Sequence, residues 1–404
     1  MWRATFRSLS GFNYRLWAAG ALVSNLGTWI QRTAQDWLVF TELTHNDATA
    51  VGFTMALQFG PSLFLLPLAG YVADRFDRRK VLIVTQALQA VPALSLGVLT
   101  LTGYVQLWHV YAFACMLGCV TAIDAPVRQT FAAELVSDAN LSNAVALNST
   151  SYQLARMAGP ALAGLLISAI GTGWLFLLNF ASFGAVMAAL SAMRVGELHR
   201  HERAGRASGG LVEGFAYVRA HPDILAVLAM LFLTSMFVMN FAVYITSMAV
   251  TVFGTGSGGF GLLTSMLAIG AVSGALGSAR RETPRASLLP VCAGLFAVFF
   301  TAAALMPWYL GFGLMLVGLG WALQTFLTTA NSTVQLWTER EMRGRVMAIY
   351  MGVLNGSTLF GSPFAGWVAN QFGARWSLML GATAGVLAAA VGLTYLKRAA
   401  RAGS

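Results

Sequence analysis

Charge is what this chain lacks most. Only 10% of its 404 residues are Asp, Glu, Lys or Arg, against about 25% in an ordinary soluble domain, and 57% are hydrophobic. A water-soluble fold of this length could not hide so much apolar surface, so lipid must be its solvent. Cysteine is nearly absent: Cys115, Cys119 and Cys292 lie inside apolar segments without metal-ligand spacing, which excludes a disulfide framework and leaves small core residues. The histidines, His45, His109, His199, His201 and His221, fall in loops or at helix ends with no paired metal motif. No metal is expected, no cofactor, and no membrane enzyme. Absence of a Gly-x-x-x-x-Gly-Lys-Ser/Thr loop argues against an ATP-driven pump.

What is present is a succession of long apolar runs. Twelve can be drawn, each near the roughly 20 residues that cross about 30 Å of hydrocarbon: Leu16–Phe40, Val51–Ala73, Val81–Leu101, Leu107–Ile123, Ala144–Ile170 and Trp174–Met193, then Ile224–Val250, Phe260–Ser278, Leu288–Met306, Tyr309–Ala330, Val346–Ala369 and Trp376–Leu396. They are too long for barrel strands and do not alternate strictly, so an all-α integral membrane protein is expected. Arg3, Arg7 and Arg15 precede the first run as in a secretory signal. That run is too long, lacks a clear small-residue cleavage site and continues through Arg32 and Asp36, so it is expected to be a retained first helix.

A net charge of +10 is of the sign that nucleic acid attracts, but its distribution decides otherwise. With the termini on one side, 22 of the 25 basic residues fall on that side and only Arg375 in the opposite loops, while Glu42 and Asp47 sit in the first of those. Both termini and the central loop are therefore expected to be cytoplasmic, in a multi-pass membrane protein. The one long polar connection, 196–222, opens with a linker-like RHERAGRASGG and continues as LVEGFAYVRAHP, where Leu211, Phe215 and Val218 recur at helical spacing. The expected division is a six-helix bundle at 1–195, a cytoplasmic linker with a short amphipathic helix at 196–222, and a second bundle at 223–404. The halves also look related: Gly164, Gly171 and Trp174 pair with Gly366, Gly373 and Trp376 at a constant shift.

Between the second and third runs lies GYVADRFDRRK, Gly70 to Lys80, a charged hinge between two apolar spans. Its pattern Gly-x-x-x-Asp-Arg-x-x-Arg-Arg resembles the signature loop of the major facilitator superfamily of transporters. Parallel repeats of six helices are the architecture which that resemblance implies, with a substrate site near the midplane between the halves. In this reading Gly70 allows close helix approach, and Asp74, with Arg75, Arg78 and Arg79 beside it, forms a cytoplasmic gating latch whose partners are Arg343 and Arg345. A second stretch, ARMAGPALAG, resembles the superfamily's exporter motif through Gly159, Pro160 and Gly164, although Ala163 departs from it and simple close packing explains it nearly as well.

Inside the spans, charge is confined to Arg32, Asp36 and Arg156, with Asp124 at the end of the fourth. Each costs about 2.5 to 3.5 kcal/mol at a helix centre on insertion scales, so each should face a partner or a wet cavity. Asn25, Trp29, Arg32 and Asp36 fall within about 60° on a helical wheel and form one stripe on the first helix. Superfamily resemblance puts that stripe on the transport path, with Gln31 beside it and Asn240 and Gln324 as further pathway residues on the seventh and tenth helices. Asp36 is expected to carry protons if Arg32 can be drawn away from it; an inert Arg32–Asp36 pair that only keeps the helix insertable is the alternative.

FRSLSGFNYRLWAAGALVSNLGTWIQRTAQDWLV, GYVADRFDRRKVL and DAPVRQTFAAELV are similar to the bacterial exporter group that includes the enterobactin exporter and related secretion and drug-efflux proteins. The resemblance implies a monomeric proton-coupled exporter of small amphipathic or anionic molecules, its partners being substrate, protons and the lipid bilayer. Facilitated metabolite or lipid transport without proton coupling, or a transporter-like sensor, are the alternatives.

Overall fold

An apolar run in lipid must satisfy its backbone internally, and the twelve runs fall largely on helix, the seventh with a break at Met239 and Asn240. A computed structural model describes residues 6–199, 211–279 and 285–402, with no strand among them. The helices are α1 (Phe12–Trp37), α2 (Ala48–Phe59), α3 (Pro61–Arg75), α4 (Arg78–Leu101), α5 (Leu107–Glu134), α6 (Asp138–Ile170), α7 (Thr172–Ser191), α8 (Leu211–Ala220), α9 (Pro222–Leu233), α10 (Phe241–Ser247), α11 (Ser257–Ala279), α12 (Leu288–Leu305), α13 (Tyr309–Trp337), α14 (Arg343–Gly356), α15 (Thr358–Phe372) and α16 (Ala374–Ala402). Among the described residues, ten segments are long and apolar enough to cross a membrane. Neither α1 nor the pair α14–α15 is one of them, because α1 carries the polar stripe and the pair has Asn355, Ser357, Thr358 and Ser362 near its middle.

Contacts divide the chain into two units, one of Met1–Leu43 with Pro61–Arg206, the other of Thr44–Gly60 with Ala207–Ser404. The sequence placed all of 1–195 together, yet α2 packs with the second unit. Glycine is the reason: a Cβ on Gly52 would land on the backbone of Ser362 and Pro363, and one on Gly366 on that of Ala48 and Thr49. The two backbones therefore touch, and a polar clasp closes the end of the contact. Asn370 Nδ2 donates to Asp47 Oδ1 at 2.5 Å and Thr49 Oγ1 at 2.8 Å, while its Oδ1 accepts from the Ala48 amide at 2.9 Å.

In the first unit, Tyr14 and Trp17 of α1 are buried among Phe131, Ala144, Val186 and Leu190. Tyr14 donates to the Ala144 carbonyl at 2.8 Å, and the Trp17 ring meets Phe131 edge-on at 5.3 Å. Asp77 caps α4 by accepting from the Lys80 amide at 3.1 Å. Arg79 closes the far end of α7, donating to the carbonyls of Leu190 at 2.6 Å and Ser191 at 3.2 Å, a favourable place for a cation at a helix C-terminus. Arg78 pairs with Glu134 at the end of α5.

The second unit relies on small residues where α11 crosses α13. A Cβ on Gly270 would strike the Val317 carbonyl, and one on Gly320 the Leu267 carbonyl, whereas one on Gly277 would meet nothing within 4 Å. Gly270→Ala is therefore expected to destabilise the purified protein by about 1–3 kcal/mol through overpacking. Gly277→Ala should leave it unchanged or gain about 0.5–1 kcal/mol from helix propensity. Unfolding midpoints of the two variants in one detergent check this, and equal midpoints would refute the close-packing account.

Within the linker, α8 is helical as its periodicity predicts, but its apolar face is split. Val218 is buried while Phe215 is 59% exposed, because Gly214 lies against Arg345 and Ile349 of α14. The side chain of Leu211, residues 200–210 with His201, and residues 280–284 lie outside the described residues.

Candidate functional site

Two glycines set the position of the polar stripe. Gly27 lies against Asn179 and Ser182 of α7, and a Cβ on Gly159 of α6 would run into Trp29, so α1 is held tightly on both neighbours. Within the exporter-type motif Gly159 thus has a definite role, Gly164 is buried, and α6 runs through Pro160 to Ile170.

Trp29 is the centre of the cluster that follows. The Arg32 guanidinium lies 5.0 Å from its ring centroid and that of Arg156 lies 6.0 Å away. Tyr152 meets the same ring edge-on at 6.2 Å and hydrogen-bonds Arg32. Cation–π contacts of this kind contribute about 0.5–2 kcal/mol each. Arg32 and Asp36 are buried at 6% and 7% exposure, with Asn25 at 8% on the same stripe. Among the described residues the Asp36 Oδ1 oxygen has no hydrogen-bond partner, nor does either amide atom of Gln35, nor Trp29 Nε1. A buried unsatisfied polar atom costs about 1–3 kcal/mol.

Gln31 behaves differently from the stripe beside it. Its Oε1 accepts from Asn179 Nδ2 at 2.6 Å, which fastens α1 to α7. In the second unit Asn240 is fully buried where the seventh span breaks between its π-helical turn, Thr234–Val238, and α10. Its Nδ2 donates to the Met236 carbonyl at 2.7 Å and its Oδ1 accepts from Ser362 at 2.5 Å. That side chain tends the freed backbone of the break. Gln324 is half-buried and donates to Thr328 at 3.3 Å.

Of the expected gating residues, Gly70 lies where an added Cβ would meet nothing within 4 Å among the described residues. Close helix contacts are made within the second unit by Gly52, Gly270 and Gly361. Arg75 lies 5.9 Å from the Tyr71 ring, and Arg343 is exposed. Arg345 forms an ion pair with Glu213 of α8 at 2.7 Å. The side chain of Asp74 lies outside the described residues.

One cluster escaped the sequence. Asp124 Oδ1 accepts from Thr85 Oγ1 at 2.6 Å and Gln86 Nε2 at 2.9 Å, and its Oδ2 accepts from Arg128 Nε at 2.9 Å. Arg128 also lies 5.5 Å from the Trp17 ring. The fourth apolar run ends at Ile123, which leaves Arg128 in the loop beyond it by sequence, but α5 continues to Glu134 and buries it. The spacing of Asp124 and Arg128 signals an ion pair on one helix face, whereas no pattern points to Thr85 and Gln86.

With this geometry in view, comparison with known proteins is informative. The family model described as transmembrane secretion effector matches residues 4–402. The chain is 27% identical over 183 residues to the uncharacterised major-facilitator-type transporter YfiS of Bacillus subtilis, covering 45% of this chain and 42% of that protein. It therefore spans less than half of that relative. Longer matches join it to the multidrug efflux pump Tap of Mycolicibacterium fortuitum, 26% identical with 87% and 88% of the two chains covered, and to the enterobactin exporter EntS of Shigella flexneri, 23% identical with 82% of each covered. Among solved structures, a bacterial homologue of the human lysosomal transporter Spinster superposes with a TM-score of 0.73 at 16% identity, covering 96% of this chain and 98% of that one. That likeness establishes the fold.

Proposed function

Since the chain belongs to the transmembrane secretion effector family and is a membrane transporter rather than an enzyme, we propose that it is a proton-coupled exporter of a small amphipathic or anionic molecule, working by alternating access. It would act as a monomer in the bacterial inner membrane, with both termini cytoplasmic. The observation that carries this reading is the buried cluster on α1 and α6, where a carboxylate with an unsatisfied oxygen lies one helical turn from an arginine engaged with Trp29 and Tyr152. An intramembrane carboxylate is expensive while ionised and takes up a proton to cross in the neutral form. For export the two must alternate: substrate binds from the cytoplasm while Asp36 is ionised beside Arg32, and once substrate has left outside, Arg32 moves aside and Asp36 takes up a proton there. That proton is released to the cytoplasm when Arg32 returns to Asp36, which readies the site for the next substrate. Export as the direction is supported by the names of the efflux pump and exporter relatives.

The test is efflux from loaded cells across a panel of dyes, antibiotics and siderophore-like anions, with and without a protonophore. The expected result is efflux of at least one compound that stops when the protonophore is added. Efflux that persists unchanged would make the protein a facilitator without proton coupling.

A further inference from the structure

Two arginines converge on one tryptophan in the first unit, and only one carboxylate accompanies them. Among the described residues no carboxylate forms an ion pair with Arg156, which is half-buried on α6, and Asp36 is the only acid in the stripe of α1. Counting Arg32, Arg156 and Asp36, the cluster holds a net charge of +1 within a membrane-spanning region. Such a charge is costly unless a counter-ion joins it, and a second positive charge would make the cost worse. A dianion would overshoot.

Shape adds a second constraint. Trp29 and Tyr152 meet edge to face at 6.2 Å, and Tyr152 keeps 43% of its surface exposed. A flat aromatic ring stacks on such a pair and contributes beyond its buried area. Donors surround the same ring: Trp29 Nε1 is buried without a partner, and the two guanidinia lie 5.0 and 6.0 Å from its centroid. A guanidinium fork matches a carboxylate in two parallel hydrogen bonds. On the other side of the stripe the unpartnered Oδ1 of Asp36 can accept from a hydroxyl on the ligand.

We infer that the Trp29–Arg32–Asp36–Arg156 cluster binds a planar aromatic monoanion, an aryl carboxylate bearing a hydroxyl, with its carboxylate on the arginines and its ring on Trp29 and Tyr152. This rests on the transporter reading above and names the class of cargo.

Equilibrium binding to the purified full-length protein, without any gradient, tests it apart from coupling. The probes are salicylate, its neutral amide salicylamide, the dianion phthalate, the alicyclic anion cyclohexanecarboxylate and the cation benzylamine, measured by calorimetric titration. Salicylate should bind at least about tenfold more tightly than the amide, the dianion or the cation, as expected when a charge-assisted pair is lost or miscounted. Arg156→Gln should weaken salicylate by about tenfold, and Arg156→Lys by less. Trp29→Leu should remove the preference for salicylate over cyclohexanecarboxylate while both still bind. Unfolding midpoints serve as the check that the variants are folded. Equal binding of salicylate and its amide, no salicylate binding at millimolar concentration, or unaltered affinities in Arg156→Gln and Trp29→Leu would overturn the inference. Proton-independent efflux with salicylate binding intact would instead remove the coupling proposal and leave this site standing.

Discussion

Asp36→Asn is expected to abolish concentrative efflux while the protein remains folded and inserted. Asparagine keeps the size of the side chain and its acceptor oxygen but can neither ionise nor carry a proton. In a cycle that moves one proton per substrate, each unit of pH difference supplies about 1.36 kcal/mol, which is a tenfold concentration ratio. The variant should lose that factor, so that substrate only equilibrates across the membrane and the rate no longer varies with pH. Asp36 is 7% exposed and its Oδ1 has no hydrogen-bond partner, so exchanging the carboxylate for an amide removes no contact at that atom. Wild-type efflux and wild-type pH dependence in the variant would sink the proposal and return Asp36 to a structural role beside Arg32.

The second large effect concerns stability. Asp124 is the acceptor for Thr85, Gln86 and Arg128 at once, and both members of its ion pair are buried, at 12% and 6% side-chain exposure. Asp124→Ala leaves the Arg128 charge uncompensated in the interior and strands the Gln86 amide, while the Thr85 hydroxyl keeps the Leu82 carbonyl at 3.0 Å. Breaking one partner of such a pair costs about 3–5 kcal/mol. Thr85→Val removes a single neutral donor and should cost only about 1 kcal/mol. If the cost is that of an orphaned charge, Asp124→Leu combined with Arg128→Met should recover much of it, since an apolar replacement of a buried pair is often neutral. Thermal unfolding in detergent of the single and double variants measures the coupling. A single variant as stable as wild type would show that the cluster carries no such energy.

Much of this molecule was legible because lipid imposes simple rules. Apolar runs of the right length had to be helices, and the stripe Asn25, Trp29, Arg32, Asp36 follows from 3.6 residues per turn alone. Charge asymmetry groups Arg78 and Arg79 with the other basic loop residues, but it does not show that they are spent on Glu134 and on the end of α7. Arg128 was misplaced because hydropathy marks where a span leaves the hydrocarbon, not where the helix ends. Helix α5 runs a further eleven residues beyond the apolar stretch drawn to Ile123.

Glycine shows the same division. Composition gives 42 glycines, and their spacing cannot say which ones touch a neighbour. Among the described residues an added Cβ at Gly70, singled out by its motif, meets nothing within 4 Å, while Gly52, Gly159 and Gly270 each sit where a methyl group would collide with another helix. A close approach is a property of two segments far apart in the chain, and local pattern carries information about only one of them. The sequence by itself determined the helices, the membrane as solvent and the presence of three costly charges within the spans. Tertiary structure alone decided that Trp29 gathers Arg32, Arg156 and Tyr152, that Asn240 and Gln31 fasten helices, and that α2 joins the second unit, because contacts between distant segments depend on packing that no local periodicity encodes.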